Sequence, residues 1–248
     1  MCLPVAIRRW YPEIGHGERP TERCLAKNAC NAWRHPPRHG PPVHYHAINP
    51  ADLVVEERLP LCAALHALGY QHATTLVPPP SRNGVLIAAR CPFREHGAVD
   101  MGLPEPYRMI SVDFATFRLS GVYMPNLLAK VPYWEALIAA LSSQSATHAL
   151  AIGDFNTCRA YLDEAGAIDA TAHFMDAIEQ IGFRDLWRRR YPDGREYSWF
   201  STRGNGFRID HAFLSQDLAA RAGTIRYSHE ERIAGLSDHS PLILELAV

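Results

Sequence analysis

This sequence has no excess of charge of either sign: 25 Lys+Arg stand against 26 Asp+Glu, a formal net of −1 at pH 7. The general basic balance of many nucleic-acid binders is therefore missing, and contact with a polyanion would need a local groove or a recruited divalent cation. No run of about 18 apolar residues occurs, which leaves no candidate membrane-spanning helix. The six cysteines, Cys2, Cys24, Cys30, Cys62, Cys91 and Cys158, form no CxxC pair and no zinc-type doublet. They read as reduced thiols, neither a disulfide framework nor a zinc site. Met1 is not followed by the charged-then-apolar pattern of a secretory signal, so a cytoplasmic location is the expectation. No internal repeat is visible.

What is present is the composition of an ordinary globule: 47% apolar, 10% aromatic and 21% charged over 248 residues. That excludes a wholly disordered, collagen-like or coiled-coil chain, and the length fits one large α/β domain. The near-zero charge conceals an asymmetry. Residues 1–50 hold seven Lys+Arg and three Glu, a net of +4, which leaves −5 for residues 51–248. The same segment holds eight of the nineteen prolines and shows neither helical nor strand periodicity. His35, His39, His44 and His46 fall in it, but without the fixed spacing on one element that a metal site needs.

From Asp52 onward short apolar runs alternate with amphipathic stretches. Asp52–Glu56 reads as a buried strand and Cys62–Leu68 as a short helix stopped by Gly69. Gly84–Ala89 is a second strand, Met109–Phe117 alternates loosely, and Leu119–Tyr123 is a strand ended by Pro125. Trp134–Leu141 is helical and His148–Ile152 extended. Phe174, Ala177, Ile178 and Ile181 recur at i, i+3, i+4 and i+7, one stripe of a helix closed by Gly182. Tyr197–Phe200, Ile209–Leu214 and Leu242–Leu246 are strand-like. Many strands with few helices predict two packed sheets flanked by helices.

Four short segments carry chemistry. In Gly153-Asp154-Phe155-Asn156 a carboxylate and a carboxamide stand two positions apart, and so on one side of an extended segment. The carboxylate can take a proton from water, and the amide can donate to a phosphate oxygen without adding negative charge. An ordinary strand-to-loop turn explains the same residues equally well. Asp238-His239, just before the last strand, suits a metal or a phosphate, although alone it reads more readily as a turn with a surface histidine. Asp210 lies in an otherwise apolar strand, where a carboxylate is costly unless paired, and is expected to orient a neighbour such as His239. Nearby Phe207 and Phe213 read as core. Tyr123 ends its strand, as a phosphate contact or as a structural tyrosine.

The order of these segments breaks the tie. Tyr123-x-Pro125-Asn126, Gly153-Asp-Phe-Asn156, Ser198-Trp199 with Arg208-Ile-Asp-His211, and Ser237-Asp-His-Ser-Pro241 together resemble the endonuclease/exonuclease/phosphatase superfamily, especially its exodeoxyribonuclease III-like branch. Upstream, Asp52–Glu57 resembles that family's strand ending in a metal-binding glutamate, and Asn83–Arg90 a further strand. The resemblance covers residues 51–248. It implies a four-layer α/β sandwich of two mixed sheets flanked by helices, DNase I-like, and Mg²⁺-assisted phosphoester hydrolysis, with Mn²⁺ as an alternative ion. By the same resemblance Asp154 orients or deprotonates water, Asn156 and Tyr123 contact phosphate, and His239, held by Asp210, stabilises the phosphoryl charge. Glu57 and Asp238 would hold the metal, Trp199 would border a pocket for an abasic sugar, and Arg208 and Asn31 would contact substrate.

Two departures stand out. The family's metal glutamate falls six positions after the strand's first aspartate, where this chain has Arg58; Glu57 is one short, and Glu56 is its rival. The family's opening strand, ending in Asn, has no clear counterpart, and Asn28-Ala-Cys-Asn31 is the nearest match. Residues 1–50 thus read as a basic arm, a diverged first strand, or a segment replacing that strand through a reading-frame or gene-model artefact. The function expected is that of a monomeric DNA nuclease of the exonuclease III or abasic-site type. The alternatives are a phosphoesterase acting on a lipid headgroup, inositol phosphate or nucleotide, and an inactive relative.

Overall fold

The computed structural model describes residues 5–6, 55–80, 82–96, 102–143, 148–166 and 169–247. Strand β1 (Val5–Ala6) comes first, then helix α1 (Val55–Ala67), β2 (His72–Ala73), β3 (Ala88–Ala89), β4 (Arg94–His96), β5 (Met109–Asp113) and β6 (Arg118–Tyr123). Helix α2 (Val131–Ser143) leads into β7 (Ala149–Asp154), α3 (His173–Gln180), β8 (Phe183–Asp185) and α4 (Leu186–Arg190). The chain continues through β9 (Trp199–Phe200), β10 (Gly206–Phe207), β11 (Asp210–Ser215), α5 (Gln216–Ala220), β12 (Ala222–Tyr227), α6 (Glu230–Ile233) and β13 (Leu242–Leu246).

Six strands form one mixed sheet in the order β4-β5-β6-β7-β11-β8. Among the described residues its one parallel pair is β6 with β7, joined by a crossover that contains α2. The central strands β7 and β11 are buried along their whole length because they are covered on both faces. In β7, Leu150 and Ile152 enter the core between the sheets, while Ala149 and Ala151 face the helices. In β11, Ala212 and Leu214 share the first core and Phe213 the second. The helical side is closed by Tyr133, Trp134, Leu137 and Leu141 of α2 and by α3, where Trp134 stacks on Phe174 with centroids 5.8 Å apart.

The opposite face of the large sheet packs on two smaller sheets, β1-β3-β2 and β12-β13, through Val85, Ile87, Ile225, Leu242, Leu244 and Leu246. Leu86 and Ala88 point outward from the first of these and meet Leu65 and Tyr70 at α1. The order helix, sheet, sheet, helix is the four-layer sandwich that the sequence predicts, with its second sheet layer in two separate pieces among the described residues. No helix among those residues is long and apolar enough to cross a membrane.

One expected element is different. Residues 52–54 lie outside the described residues, but from Val55 the chain is already helical, so Glu56 and Glu57 occupy the first turn of α1 and not a strand end. Leu61, Leu65 and Leu68 recur on the face that meets Leu86 and Tyr70. Gly84–Ala89 is buried as expected, although only Ala88–Ala89 makes ladder pairs.

Candidate active site

Three adjacent strands place three side chains in one row. Tyr123 of β6 pairs in register with Asp154 of β7, and Asp154 pairs with Asp210 of β11. Partners in register on neighbouring strands point to the same face, so a phenol and two carboxylates share one edge of the sheet. The strands can come this close because Gly153, at φ +143°, has no Cβ; one built there would lie 2.0 Å from the Val122 carbonyl oxygen.

Asp154 is 3% exposed. Its Oδ1 accepts from the Asn156 backbone N–H at 2.9 Å, and its Oδ2 lies 3.3 Å from Asn156 Nδ2. Asn156 lies past the strand end, in the left-handed region at φ +47°. The two side chains meet as the spacing predicts, but through a turn and not along a strand, so turn and site are the same structure. Asn156 Nδ2 also donates to the Met124 carbonyl at 2.6 Å, tying the Asp154 loop to the segment after Tyr123.

The His239 ring is locked by Asp210. With Asp210 ionised, the ring Nδ1 donates to Asp210 Oδ2 at 2.7 Å, which fixes the ring's orientation and leaves Nε2 as the ring nitrogen not bound by Asp210. Ser198 holds the dyad in place: its Oγ accepts from the Ile209 and Asp210 amides at 3.1 and 3.2 Å, and its carbonyl accepts from the Ser240 amide at 2.7 Å. The Tyr227 hydroxyl donates to the Asp210 carbonyl at 2.6 Å. On the other side, Asn83 Nδ2 donates to the Tyr123 hydroxyl at 3.1 Å, and the Arg108 guanidinium lies 4.6 Å from the Tyr123 ring centroid.

Beside the row opens a cavity of about 360 Å³, walled by Trp199, Phe207, Ile209, Leu128 and Lys130 with Asn156 at its rim. Trp199 is 5.6 Å from Phe207 and 6.3 Å from His239, centroid to centroid. Residues 42–239 match the sequence model of the Endonuclease/Exonuclease/phosphatase family. The chain belongs to that family. It is accordingly a hydrolase of the nuclease and phosphatase class.

Solved structures share this fold. The 3′ phosphatase NExo from Neisseria, bound to a product DNA hairpin, is 22% identical with a TM-score of 0.78, covering 100% of both chains. A 3′-5′ exonuclease, NExo, from Neisseria meningitidis is 22% identical with a TM-score of 0.76, over 99% of this chain and 100% of that one. An AP endonuclease from Archaeoglobus fulgidus is 20% identical with a TM-score of 0.75, over 100% of both.

Within this family fold the predicted residues divide. Tyr123, Asp154, Asn156, Asp210, His239 and Trp199 are brought together at one end of the large sheet, and of these Asn156 and Trp199 line the cavity. Asp238 adjoins them, with Oδ2 3.9 Å from His239 Nε2 and a buried Oδ1 that has no hydrogen-bond partner among the described residues. An unpaired carboxylate oxygen beside the Asp210–His239 pair suits a hard cation, although the described residues hold no group of three or more candidate ligands. Asn31 lies outside the described residues, as do the side chains of Glu57 and Glu56.

Arg208 is a correction. It is fully buried; its Nε donates to Asp163 Oδ1 at 2.7 Å and its Nη2 to Asp185 Oδ2 at 2.6 Å, over the Trp187 ring. Burial pushes the Asp185 and Asp163 carboxyls upward, but the Arg208 charge outweighs it and holds both below the usual carboxylate range. Its donors are taken, so it braces the site from behind and does not meet substrate. Phe207 is a second correction: it walls the cavity, half-buried, whereas Phe213 is core as expected. Arg108 and Lys130 adjoin the site but lie outside the motifs, and Asn83 opens the Asn83–Arg90 segment without any site role being legible there.

Proposed function

We propose that this hydrolase is a divalent-metal-dependent phosphodiesterase that cleaves DNA, of the exonuclease III or abasic-site endonuclease type, acting in DNA repair as a cytoplasmic monomer. The observation that carries the reading is the Tyr123, Asp154, Asp210 row, with His239 locked at its end, set against an aromatic cavity. Solved relatives described as a 3′ phosphatase, a 3′-5′ exonuclease and an AP endonuclease support DNA as the substrate class.

In this reading Asp154 accepts the proton of the attacking water. The Asn156 N–H now shared with Asp154 turns to a phosphate oxygen, and the Tyr123 hydroxyl, already accepting from Asn83, donates to another. His239 gives its Nε2 proton toward the phosphoryl oxygens while Asp210 stabilises the ring charge. Mg²⁺, or Mn²⁺ in its place, would supply polarisation of the phosphate and offset charge on the leaving oxygen. Asp238 and Glu57 would hold it. A sugar without a base enters the Trp199–Phe207 cavity at least cost, because no stacked base has to be pulled out.

The test is cleavage, with Mg²⁺, of duplex DNA bearing one abasic site. Strand scission is expected, stopped by EDTA and abolished by Asp154→Ala. A second reading keeps the chemistry but takes a small non-DNA phosphoester: lipid headgroup, inositol phosphate or nucleotide. It is favoured by the fate of Arg188 and Arg190, whose guanidinium groups bind Asp163 and the carbonyls of Leu162, Ala222 and Gly223 and form no exposed phosphate clamp. Hydrolysis of small phosphoesters without DNA cleavage would select it. A folded protein inactive on every phosphoester would contradict both and leave a binding role.

A further inference from the structure

Lys130 and Lys27 are the only lysines in a chain whose 25 Lys+Arg are otherwise arginine. Lys130 is 3% exposed and sits in the cavity wall, at the end of the 3₁₀ turn Leu127–Lys130 that follows the Tyr123 segment. Its Nζ donates to the Asn156 carbonyl and lies 3.2 Å from Asp169 Oδ2. Asp169 is itself fixed, its Oδ1 accepting from the Thr171 amide at 2.8 Å and the Thr171 hydroxyl at 2.6 Å. Asn156 returns the contact by donating to Met124, so the two loops clasp each other, side chain to backbone, in both directions.

Asn156, under this clasp, is in a left-handed conformation at φ +47°, and so is Leu127 of the clasping turn at φ +56°. A non-glycine residue there costs free energy and persists only where its surroundings over-determine it. An ammonium is a compact charge with three rotatable donors, which suits one carbonyl and one carboxylate; the rigid planar fork of arginine does not. That explains a lysine here in a chain that otherwise uses arginine.

We propose that Lys130 is the positioning residue of Asn156. It holds the Asn156 peptide in its left-handed turn, so that the carboxamide and the Asp154 carboxylate meet phosphate and water together. The catalytic consequence rests on the phosphoesterase reading above; the geometric one does not.

Lys130→Met in the full chain tests it in two ways. By NMR, the side-chain amide pair of Asn156, assigned by its disappearance in Asn156→Gly, is expected to shift in Lys130→Met while the fold is kept. An unmoved pair overturns the proposal. This readout needs no substrate, so a chain that cleaves nothing would refute the activity and leave the positioning role to be judged by the amide signals. On the abasic duplex, kcat is expected to fall about 10- to 100-fold with KM changed less than about threefold, the scale of a small misplacement of a catalytic group. In the Asn156→Gly background the same substitution is expected to cost less than about twofold, because the residue acted on is gone. Equal losses in both backgrounds overturn the proposal. If Lys130→Met unfolds, Asp169→Asn, which keeps the shape and removes the charge, is expected to shift the same amide pair; no shift again overturns it.

Discussion

The chemistry depends on Asp210, whose carboxylate fixes the tautomer of His239 from 2.7 Å. Asp210→Asn keeps the shape and loses that selection, so kcat is expected to fall by about 10² to 10⁴ with unchanged circular dichroism, as for the comparable orienting aspartate in hydrolases. Arg208 behaves oppositely. Arg208→Met leaves Asp163 and Asp185 buried without their cation, and urea titration is expected to show a loss of about 3–5 kcal/mol. The activity per folded molecule should stay within a few-fold of the parent. The contrast follows from what sequence can convey. Asp210 stood out because a carboxylate in an apolar strand demands a partner, and Asp154 because a glycine and an apolar strand deliver it. Arg208 misled because its partners lie 45 and 23 residues away, and nothing local marks it as already paired. Asn83, 40 residues from Tyr123, was hidden for the same reason.

Among the elements, the β6–β7 pair is the one on which the site is built. Gly153→Ala would put a methyl group 2.0 Å from the Val122 carbonyl oxygen at φ +143°, so one strand must move. A loss of about 3 kcal/mol or more is expected from a side chain forced into such a position, seen as a lowered thermal midpoint. Strands β7, β11 and β13 are legible because each carries a short apolar run, Ala149–Ile152, Ala212–Leu214 and Leu242–Leu244. Helix α3 was legible through its single stripe. Strand β12 was not: among its residues only Ile225 and Tyr227 are buried, and no apolar run announces it. Helix α1 was read as a strand at its start because Leu53-Val54-Val55 is apolar and β-branched, and Pro60, with no N–H to give back to residue 56, moved the apparent helix start to Cys62.

For the whole molecule, buried titratable groups set a stability window. Asp163 and Asp185 have carboxyls that Arg208 holds low against the effect of burial, so their contribution is present above the usual carboxylate range, about 3.9, and lost as pH falls below it. The Cys158 thiol is pushed by burial, then by Asp169, Asp163 and Glu164, from 9.0 up to about 12. Its contribution is complete below 9.0 and declines as pH rises from there toward about 12. The urea midpoint is therefore expected to be flat from about pH 5 to 8 and to fall on either side, with Cys158→Ala softening the alkaline decline. The catalytic row has one last consequence. Tyr123, Asp154 and Asp210 sit on interior strands of the largest sheet, the class of element whose backbone opens at free energies nearest that of the whole domain. The active site has no private melting step: heat should extinguish its chemistry at the temperature where the molecule itself comes apart, and cooling that restores one should restore the other.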